Sequence, residues 1–575
     1  MRMRNKQTFG LALVLSLGCG DTSQTPPAPD PILKEPCAEP GEDCDISSPD
    51  PGEEPDGPDD SDAPDGDDTG PFTHAFTVTA EEPFEEQIDI PNLGEGVYLL
   101  EDDLLDGLTI ENGEESIIFS GTLSAGVYPL AIDLEYYLDG PSIYRTLQVT
   151  ITAEADEIAV PEYGPAAYPD DRVHSPLTPH VADHIREILD AGSDALQDDV
   201  FLKAGASSTV SRNTLHCFAD GPVDLGDHAH LQDTLDFFLG GDAAGSTPFD
   251  RDTTAARSGH SAIWVVDGDP SPLAQEIEAI DPRFALIHYG TNDMGLGSTY
   301  LAAMWAFHEA MMTMVDELTE QGIVPILTGI SHRGDRPSAN LWAETYNAFI
   351  RGMAQDRQIP FIDLHLAMDD LDGWGLASDG LHLESYSGGP CVLTEAGLEH
   401  GYNRRNLIVL EALDRLVQVG LDDVDALDEP ADSMAGDGSL AHPFEIASLP
   451  FTDSQDTRVS GSSELSVYTG CDSDSDESGP EVVYRIELDA PTEIRAIVAD
   501  RGDTDIDIHL LDASGTEAGC LERDHHMVEG TVGPGTYHLV LDTWVNTEGE
   551  AKAGEYLLTV VACHPDDTDC STELD

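Results

Sequence analysis

The stretch 284–293 reads Phe-Ala-Leu-Ile-His-Tyr-Gly-Thr-Asn-Asp, an apolar run that ends in a glycine and three polar residues. A short apolar run of this kind indicates a strand that is buried on both faces of a parallel sheet. Three further runs share its character: Val200–Leu202, Ile323–Leu327 and Ile359–Ile362. Amphipathic helical patterns lie between them, one of them from about Ser298 to Gln321. This alternation predicts an α/β domain.

Polar clusters follow three of the predicted strands, at the edge where the ligand sites of open parallel sheets lie. The block Gly205–Thr209 follows the first strand and reads Gly-Ala-Ser-Ser-Thr. Gly290–Asp293 follows the second strand as Gly-Thr-Asn-Asp, and Asp379–His382 follows the fourth, after a loop, as Asp-Gly-Leu-His. Because the carboxyl ends of parallel strands share one edge, these blocks are predicted to form one site.

The three blocks contain the residue types of a serine nucleophile system. A serine hydroxyl is a poor nucleophile at neutral pH and needs a general base. His382 could be that base for Ser207, and Asp379, three residues earlier, could orient the imidazole from the same turn. The Asn292 amide is a candidate donor to the oxyanion that forms during acyl transfer.

In this order, the blocks resemble those of the SGNH hydrolase family, also called GDSL-type esterases and lipases. The resemblance covers about Val200 to Asn406, under half of the chain. It implies a flavodoxin-like three-layer α/β/α domain and hydrolysis of carboxylic esters through an acyl-enzyme, for which no metal or organic cofactor is needed. Ala206 departs from the pattern, because the family usually has aspartate there, and this puts the local support of the serine loop in question.

The resemblance also implies a role for individual residues. Ser207, two residues after the glycine of its block, is the expected nucleophile, whereas Ser208 is expected to cap the following helix. Gly259 corresponds to the family's oxyanion glycine by order and spacing. The N–H groups of Ser207 and Gly259, with the Asn292 amide, would then form the oxyanion hole.

Two alternatives to an esterase remain open. The same site could serve an acyltransferase that passes the acyl group to a sugar hydroxyl, and product analysis with and without a sugar acceptor would distinguish the two. The chain could also be a catalytically inactive, surface-binding lipoprotein, which Ala206 favours. The expected substrate is a small-molecule or polysaccharide ester with a short acyl group, and the flanking β modules favour an acylated polysaccharide by analogy.

The charge of the chain excludes two classes of partner. It contains 113 acidic and 25 basic residues, which gives a net charge of −88. Nucleic acid and anionic lipid surfaces both bind proteins through clustered lysine and arginine. We therefore expect no nucleic-acid partner, and membrane association only through a lipid anchor.

The amino terminus resembles a bacterial lipoprotein signal. Basic residues at positions 2, 4 and 6 precede the apolar run Phe9–Leu17, which is too short to span a membrane. Gly18 precedes Cys19, so an acylated Cys19 would be the mature amino terminus. This predicts a lipid-anchored protein of the cell envelope, in the periplasm or at the cell surface. Ordinary cleavage, which would give a fully secreted protein, is the alternative.

The cysteines fit an oxidising compartment. Removing Cys19 from the nine cysteines leaves an even number. Cys217 lies ten residues after Ser207, and Cys391 lies nine after His382, so a disulfide between them is predicted to tie the two catalytic loops together. The remaining cysteines form pairs that are closer in sequence: Cys37 with Cys44, Cys471 with Cys520, and Cys563 with Cys570.

Three other motifs receive structural interpretations. His228-Ala229-His230 could bind a metal with Asp224 or Asp227, but no third histidine lies at metal spacing, so an exposed acidic loop is predicted and no metal site is assigned. Arg333-Gly334-Asp335 looks like an integrin-binding tripeptide, but chance occurrence explains it. His365 is expected to pack or hydrogen-bond near the site rather than act as the base.

Regions of alternating strand patterns flank the α/β domain on both sides. The C-terminal region weakly resembles the bacterial pre-peptidase C-terminal domain through Asp505–Leu510 and Gly533–Tyr537, which implies accessory binding or secretion. The predicted fold is therefore α/β, with a flavodoxin-like catalytic domain flanked by two small all-β, sandwich-like domains. The predicted boundaries are 1–18 for the signal peptide, 19–71 for an acidic, proline-rich disordered linker, 72–156 for a β-sandwich accessory domain, 157–420 for the hydrolase domain, 421–440 for a second acidic linker, 441–563 for the C-terminal β domain and 564–575 for an acidic tail.

Overall fold

A computed structural model describes residues 72–79, 84–89, 98–99, 108–112, 116–122, 126–136, 143–154, 164–422, 424–430, 434–460, 462–471 and 475–571. The predicted signal peptide, Cys19, the linker 19–71 and the Cys37/Cys44 pair lie outside the described residues. The chain divides into two compact units, and the second contains everything from Ala153 onward.

Seven strands make up the described part of the first unit: β1 (Phe72–Thr79), β2 (Phe84–Asp89), β3 (Tyr98–Leu99), β4 (Leu108–Asn112), β5 (Ser116–Gly121), β6 (Gly126–Tyr136) and β7 (Ile143–Glu154). They form a four-stranded sheet in the order β1-β7-β6-β3 and a three-stranded antiparallel sheet in the order β2-β5-β4. Ile117, Phe119 and Ile151 are buried. Two small sheets with buried apolar side chains are consistent with the predicted β-sandwich.

An α/β region opens the second unit, with strands β8 (Gln197–Gly205), β9 (Val223–Asp224), β10 (Pro282–His288), β11 (Val324–Thr328), β12 (Phe361–Ile362) and β13 (Cys391–Val392). Four of these strands form a parallel sheet in the order β12-β11-β10-β8. Beyond β8, Ala256 makes a single parallel bridge to Gly205 in the place of a further strand. When this bridge is counted, the order along the chain is 2-1-3-4-5, as in flavodoxin-like folds. The predicted α/β fold is confirmed.

Eleven helices accompany these strands in the described residues: α1 (Pro179–Asp190), α2 (Ser207–Val210), α3 (Cys217–Asp220), α4 (Gln232–Gly240), α5 (Ala262–Val266), α6 (Pro272–Ile280), α7 (Tyr300–Glu320), α8 (Pro337–Asp356), α9 (Leu364–Met368), α10 (Glu395–Leu398) and α11 (Gly401–Gly420). Helix α11 contacts both α1 and α4, and all three contact the sheet, whereas α5 to α8 form a second group that also contacts it. Two helical groups around one sheet are the arrangement expected of three layers. None of the described helices has both the length and the apolar character of a membrane span.

The long helix α7 shows how local sequence sets the boundaries of an element. Its predicted range, 298–321, agrees with the observed range within two residues. The Thr299 side chain accepts a hydrogen bond from the Ala302 N–H at the amino end. Gly322 follows the last turn with a φ of +76°, a left-handed conformation that favours glycine.

The C-terminal part of the second unit is built from strands β14 (Phe444–Ile446), β15 (Phe451–Asp456), β16 (Glu481–Leu488), β17 (Thr492–Asp500), β18 (Ile506–Leu511), β19 (Cys520–Asp524), β20 (Met527–Val532), β21 (Gly535–Thr543) and β22 (Glu555–Ala562). They form two sheets, in the orders β14-β16-β21-β18-β19 and β15-β22-β17-β20. Ile508, Leu541 and Leu558 are fully buried in the core of this region. A disulfide joins Cys471 to Cys520, as the sequence suggests.

The predicted acidic tail from residue 564 is packed against this β region as far as Ser571. Cys570 is buried and forms a disulfide with Cys563. The buried Asp567 carboxylate accepts a hydrogen bond of 2.9 Å from Arg495. The prediction of a tail beginning at 564 is therefore wrong, because its cysteine and one of its acidic residues have partners in the fold.

The predicted linker 421–440 also has partners. The Asp428 carboxylate lies 2.7 Å from the Arg172 guanidinium and 2.8 Å from that of Arg415. It also accepts a hydrogen bond from the Leu177 N–H, and Leu427 packs against the core. The expectation that this linker packs little is corrected by these contacts, since one carboxylate has three partners in the α/β region.

The C-terminal β region packs on α8, so the two regions that the sequence separates share one compact unit. The Arg495 guanidinium lies 3.8 Å from the centre of the Trp342 ring. Gln355 Nε2 donates to the Thr452 carbonyl at 2.7 Å. Ile497, Ala499 and Leu557 belong to the same buried cluster as the core of the α/β region.

Candidate active site

The loop that follows β8 places Ser207 at the start of α2. Gly205 ends the strand, and a Cβ at this position would lie 2.1 Å from Thr209 Oγ1 and 2.9 Å from the His288 carbonyl oxygen. The close approach of these atoms requires glycine here. The Ala206 carbonyl accepts hydrogen bonds from the N–H groups of Thr209 and Val210, so backbone contacts support the loop without a carboxylate at position 206.

Ser207, His382 and Asp379 form one hydrogen-bonded chain. His382 Nε2 lies 2.8 Å from Ser207 Oγ, across 175 residues of sequence. His382 Nδ1 lies 2.7 Å from Asp379 Oδ2. With the proton on Nδ1, which the carboxylate favours, Nε2 is free to accept the serine proton.

The Asp379 carboxylate is held ionised by its hydrogen bonds. The His382 ring donates to one oxygen, and the N–H groups of His382 and Leu381 donate to the other, each at 3.0 Å. The His382 side chain and then these two backbone donors lower the pKa of Asp379 to about 2. Gly380 makes the turn possible through its φ of +68°. Asp379 is therefore negatively charged over the pH range in which His382 could act as a base.

Asn292 reaches the same pocket from the loop after β10. Its Nδ2 donates to the His260 carbonyl at 3.0 Å. The next residue, Asp293, accepts from the Ala262 N–H at 2.8 Å and from the Gly290 N–H at 2.9 Å. Burial raises the pKa of Asp293 to about 6, although these donors oppose the shift. Asp293 thus fixes the loop that carries Asn292, a role that the motif alone does not reveal.

Gly259 is not among the residues that line the catalytic pocket. Its φ is +76°, and a Cβ added there would meet nothing within 4 Å, so glycine serves the backbone conformation rather than close packing. The neighbouring His260 carbonyl bonds Asn292, which brings this loop to the border of the pocket. The structure therefore brings together Ser207, Asn292 and the Asp379–His382 pair, and leaves Gly259 outside the pocket wall.

The pocket beside Ser207 is small, with a volume of about 10 Å³. Ser207, Asn292 and His382 line it, together with Ala206 and Gly290 and several of their neighbours. The His382 side chain is 35% exposed, so the reacting atoms lie close to open solvent.

Comparison with known proteins gives a match in this part of the chain. Residues 227–385 match the model of the GDSL-like Lipase/Acylhydrolase family. This segment is therefore similar to GDSL-like hydrolase domains. It contains Asn292, Asp379 and His382, and it begins after Ser207.

Other comparisons are weaker. No curated protein matches the chain in sequence. Among solved structures, a variant of the endo-fucoidan hydrolase MfFcnA4, from glycoside hydrolase family 107, is 15% identical over 24% of this chain and 17% of its own, with a TM-score of 0.12. The endo-fucoidan hydrolase MfFcnA9 is 12% identical over 24% of this chain and 20% of its own, also with a TM-score of 0.12. This chain thus spans a fifth or less of those proteins, and the TM-scores are too low to indicate a shared overall fold.

Arg333-Gly334-Asp335, attributed from the sequence to chance, connects two loops of the segment that matches the GDSL-like family. Arg333 Nη1 donates to the Thr291 carbonyl at 3.2 Å, and its Nε pairs with Asp335 at 2.8 Å. The Asp335 N–H donates to the Gly380 carbonyl at 2.8 Å. These residues hold the asparagine loop and the histidine turn in register, which the sequence interpretation missed because both partners are distant in the chain.

Ser208 does not cap a helix, contrary to the prediction. The N-cap residue of α2 is Ala206, and no side chain caps this helix. Instead, the Ser208 carbonyl accepts from Thr214 Oγ1 at 2.5 Å and from Arg405 Nη1 at 3.1 Å. The prediction failed because α2 begins at Ser207, with Ala206 as its N-cap residue, so that Ser208 lies within the helix.

Two groups of described residues have ligand atoms close enough to hold a cation, within 4.8 Å of one another. One is His332, His365 and Asp369, whose His332 ring stacks on Trp374 with centres 4.6 Å apart. The other is Asp505, Asp507 and His525. Here Arg523 pairs with Asp507 and supplies the positive charge that a cation would otherwise provide. The His228-Ala229-His230 motif belongs to neither group.

His365 lies with its ring centre 3.6 Å from that of His332. Burial and the neighbouring His332 lower the pKa of His365 to about 3. The packed role expected for His365 agrees with this position. His382, rather than His365, contacts Ser207 Oγ.

The Cys217–Cys391 disulfide is present as predicted. The Cα atoms of the two cysteines are 5.5 Å apart, and 174 residues separate them in sequence. The bridge joins α3 to β13, which pairs in parallel with β9. Asn406 Nδ2 donates to the Pro390 carbonyl beside the bridge at 3.1 Å. The pairing therefore fixes the segments that follow the serine loop and the histidine turn.

Proposed function

We propose that the protein is an exported serine esterase that hydrolyses carboxylic esters with short acyl groups. The observation that carries this proposal is the hydrogen-bonded chain from Asp379 through His382 to Ser207, with distances of 2.7 and 2.8 Å. Such a chain supplies a nucleophile, a base and an orienting carboxylate in the geometry that acyl transfer requires. The match of residues 227–385 to a lipase/acylhydrolase family supports the same chemistry.

In the proposed reaction, His382 Nε2 takes the proton of Ser207 as Oγ attacks the ester carbonyl carbon. The ionised Asp379 stabilises the imidazolium that results. The carbonyl oxygen becomes an oxyanion, to which the Ser207 N–H and the second N–H of the Asn292 amide donate. That the Gly259 N–H is the third donor stays a prediction.

The tetrahedral intermediate then collapses. The alkoxide leaves with the proton from His382, and the acyl group remains on Ser207 Oγ as an ester. A water molecule, deprotonated by His382, attacks the acyl-enzyme carbonyl carbon and forms a second tetrahedral intermediate. Its breakdown releases the carboxylic acid and returns the proton to Ser207.

The size of the pocket supports a short acyl group. The enclosed part of the pocket, about 10 Å³, has room for roughly one water-sized sphere, which favours a small acyl group beside Ser207. The alcohol part of the ester would lie on the open side of His382, where a bulky carbohydrate could be accommodated. We therefore favour an acylated small molecule or polysaccharide as the substrate.

Hydrolysis of p-nitrophenyl acetate, butyrate and octanoate tests both the reaction and the chain length. We expect kcat/KM to fall steeply with chain length, and fluorophosphonate to label Ser207. Equal rates for all three esters would contradict the small pocket. Absence of both hydrolysis and labelling would favour the inactive surface-binding protein, and acyl transfer to an added sugar in preference to water would identify an acyltransferase.

We also propose that Cys19 carries lipid and anchors the protein in the cell envelope. The disulfides of the described region support export, because such bonds persist in oxidising compartments. Metabolic labelling with a radioactive fatty acid tests the anchor. Labelled wild type and unlabelled Cys19→Ser are expected, and an unlabelled wild type would identify a fully secreted protein instead.

A further inference from the structure

A second cavity lies behind α2, the helix that begins with Ser207, in the interior of the α/β region. It has a volume of about 20 Å³, which is room for one water molecule or one small ion. All nine residues that line it are buried. The polar ones are Lys203, Thr209, Thr214, His288, Thr328 and Arg405.

Several donors in this cavity wall have no partner among the described residues. They are the Thr209 hydroxyl, Nε of Arg405 and the one N–H of the His288 ring, whose two nitrogens both lack a partner. Thr209 is 5% exposed, Arg405 4% and His288 8%, so water outside the protein does not satisfy them. Buried polar groups without a partner are costly, and a group of three around one cavity indicates a bound species.

The charge of the cavity wall is positive. Arg405 Nη1 donates to the neutral Ser208 carbonyl, and no carboxylate in the described part of the chain pairs with this guanidinium. Lys203 Nζ donates to the Phe249 carbonyl at 2.6 Å, again a neutral acceptor. Burial lowers the pKa of Arg405 to about 10, so the guanidinium stays charged at neutral pH. None of the lining residues is acidic.

We propose that this cavity binds a small monovalent anion, chloride in physiological salt. A chloride ion accepts hydrogen bonds from several donors at once and compensates the buried Arg405 charge, which is costly to leave unpaired. A water molecule would satisfy some donors but leave the charge. The fully buried wall and the small volume exclude a larger anion such as sulfate.

The position of the cavity connects the anion to the catalytic residues. Thr209 lies on α2 two residues after Ser207, and Arg405 lies on α11 and bonds the Ser208 carbonyl. His288 lines both this cavity and the catalytic pocket. The anion would thus hold the nucleophile helix to α11 and to the end of β10, whatever ester the enzyme uses.

Thermal unfolding in different sodium salts tests the site in the full chain. After exhaustive dialysis against gluconate, titration with chloride at constant ionic strength is expected to raise Tm along a saturable curve, and bromide should do the same. Constant ionic strength removes the general screening effect of salt on this acidic chain. Equal Tm values in gluconate and chloride would overturn the proposal.

The variant Thr209→Val distinguishes an anion from a water or an empty cavity. It keeps the side-chain shape and removes one unpartnered hydroxyl. With an anion present, chloride should bind about tenfold more weakly, because a hydrogen bond to a charge is lost. Without one, the variant should be as stable as wild type or more stable in every salt, since an unsatisfied buried hydroxyl is gone. That second result would overturn the proposal.

Two further measurements locate the anion. Arg405→Met should lose the chloride-dependent part of Tm, whereas Arg404→Met, on the same helix and paired with Asp370 outside the cavity, should keep it. If Arg405→Met does not fold, Thr209→Val decides alone. Crystals grown in sodium bromide should show an anomalous peak between Arg405, Thr209 and His288. A peak without anomalous signal would be a water molecule and would contradict the assignment.

Discussion

Two adjacent serines begin α2, and the structure gives them different surroundings. Ser207 Oγ has a histidine nitrogen at 2.8 Å, whereas Ser208 is bound through its carbonyl oxygen by Thr214 and Arg405. The contact of Ser207 is made by its side chain, whereas the contacts of Ser208 are made by its backbone. At the scale of the residue, Ser207 therefore presents its hydroxyl to His382, whereas Ser208 links the helix to Thr214 and Arg405.

Ser207→Ala is expected to lower kcat for p-nitrophenyl acetate by about four to six orders of magnitude, with KM nearly unchanged, because the acyl-enzyme can no longer form. Ser208→Ala keeps its backbone carbonyl, so its kcat should stay within about threefold of wild type. Steady-state kinetics of both variants gives the result. A fluorophosphonate adduct on Ser208, read by mass spectrometry, would refute the assignment.

The pairing of Asp379 with His382 should depend on pH in a defined direction. The pKa of Asp379 is lowered to about 2, against an ordinary value of about 4. The folded state therefore stabilises the ionised carboxylate relative to the protonated acid. Its contribution to stability is present above about pH 4 and is lost as the pH falls toward 2. The difference in unfolding free energy between wild type and Asp379→Asn should therefore shrink over this window. Urea unfolding at several pH values measures it, and a difference that persists at pH 2 would contradict the pairing.

The same residue scale shows what the sequence could provide. Ser207 and Asn292 were predictable because each lies in a short block directly after a strand, and Asp379 and His382 because they form a short block in the loop region after the last strand of the sheet. The contribution of Arg333 was not, since its partners Thr291 and Gly380 come from other loops and no local pattern records such contacts. The cavity behind α2 was equally hidden, as its polar residues come from separate strands and helices.

At the scale of elements, the four buried strands and the long helix α7 followed from apolar periodicity. The fifth position in the sheet, a single bridge of Ala256 beside β8, was not predicted from the sequence. Edge strands bury less apolar surface than central ones, so their sequence signal is weak. The packed tail after residue 564 was missed for a related reason, because Asp567 is polar and becomes buried through Arg495.

The disulfide between α3 and β13 should stabilise this arrangement of elements. The double variant Cys217→Ser, Cys391→Ser is expected to lose about 3–5 kcal/mol, because an open chain of this length has more unfolded conformations. Thermal unfolding without reductant measures the loss. The Cys563–Cys570 disulfide closes a much shorter loop, so the double variant Cys563→Ser, Cys570→Ser should lose less stability. Peptide mapping that finds Cys217 free, or joined elsewhere, would contradict the bridge.

At the scale of the whole molecule, the boundary between the hydrolase and C-terminal regions differs from the one that composition suggests. Acidic composition predicts a linker with few contacts, yet Asp428 anchors that linker and the β region covers α8. Charged residues do not reveal their partners in sequence. The sequence also does not show which apolar surfaces the two regions cover on each other, because these surfaces form only when both regions are folded.

A fragment of residues 157–420 is therefore expected to be less stable than a fragment of residues 157–571. Removing the β region exposes Trp342 and breaks its contact with Arg495, so Tm should fall by about 5 °C or more, with increased binding of a hydrophobic dye. The longer fragment should keep full esterase activity. Identical Tm values for the two fragments would show that the interface contributes no stability.

The short distance in sequence between Asp379 and His382 also has a consequence for the order of events during folding. These two residues lie three positions apart and bond within one turn, so half of the catalytic set is a local structure that closes early. Ser207 joins it only when a loop of 175 residues closes. In a refolding experiment, the return of esterase activity would consequently follow that single long-range closure. It should lag behind the recovery of helical circular dichroism, so the regained esterase activity would report when the last long-range contact forms.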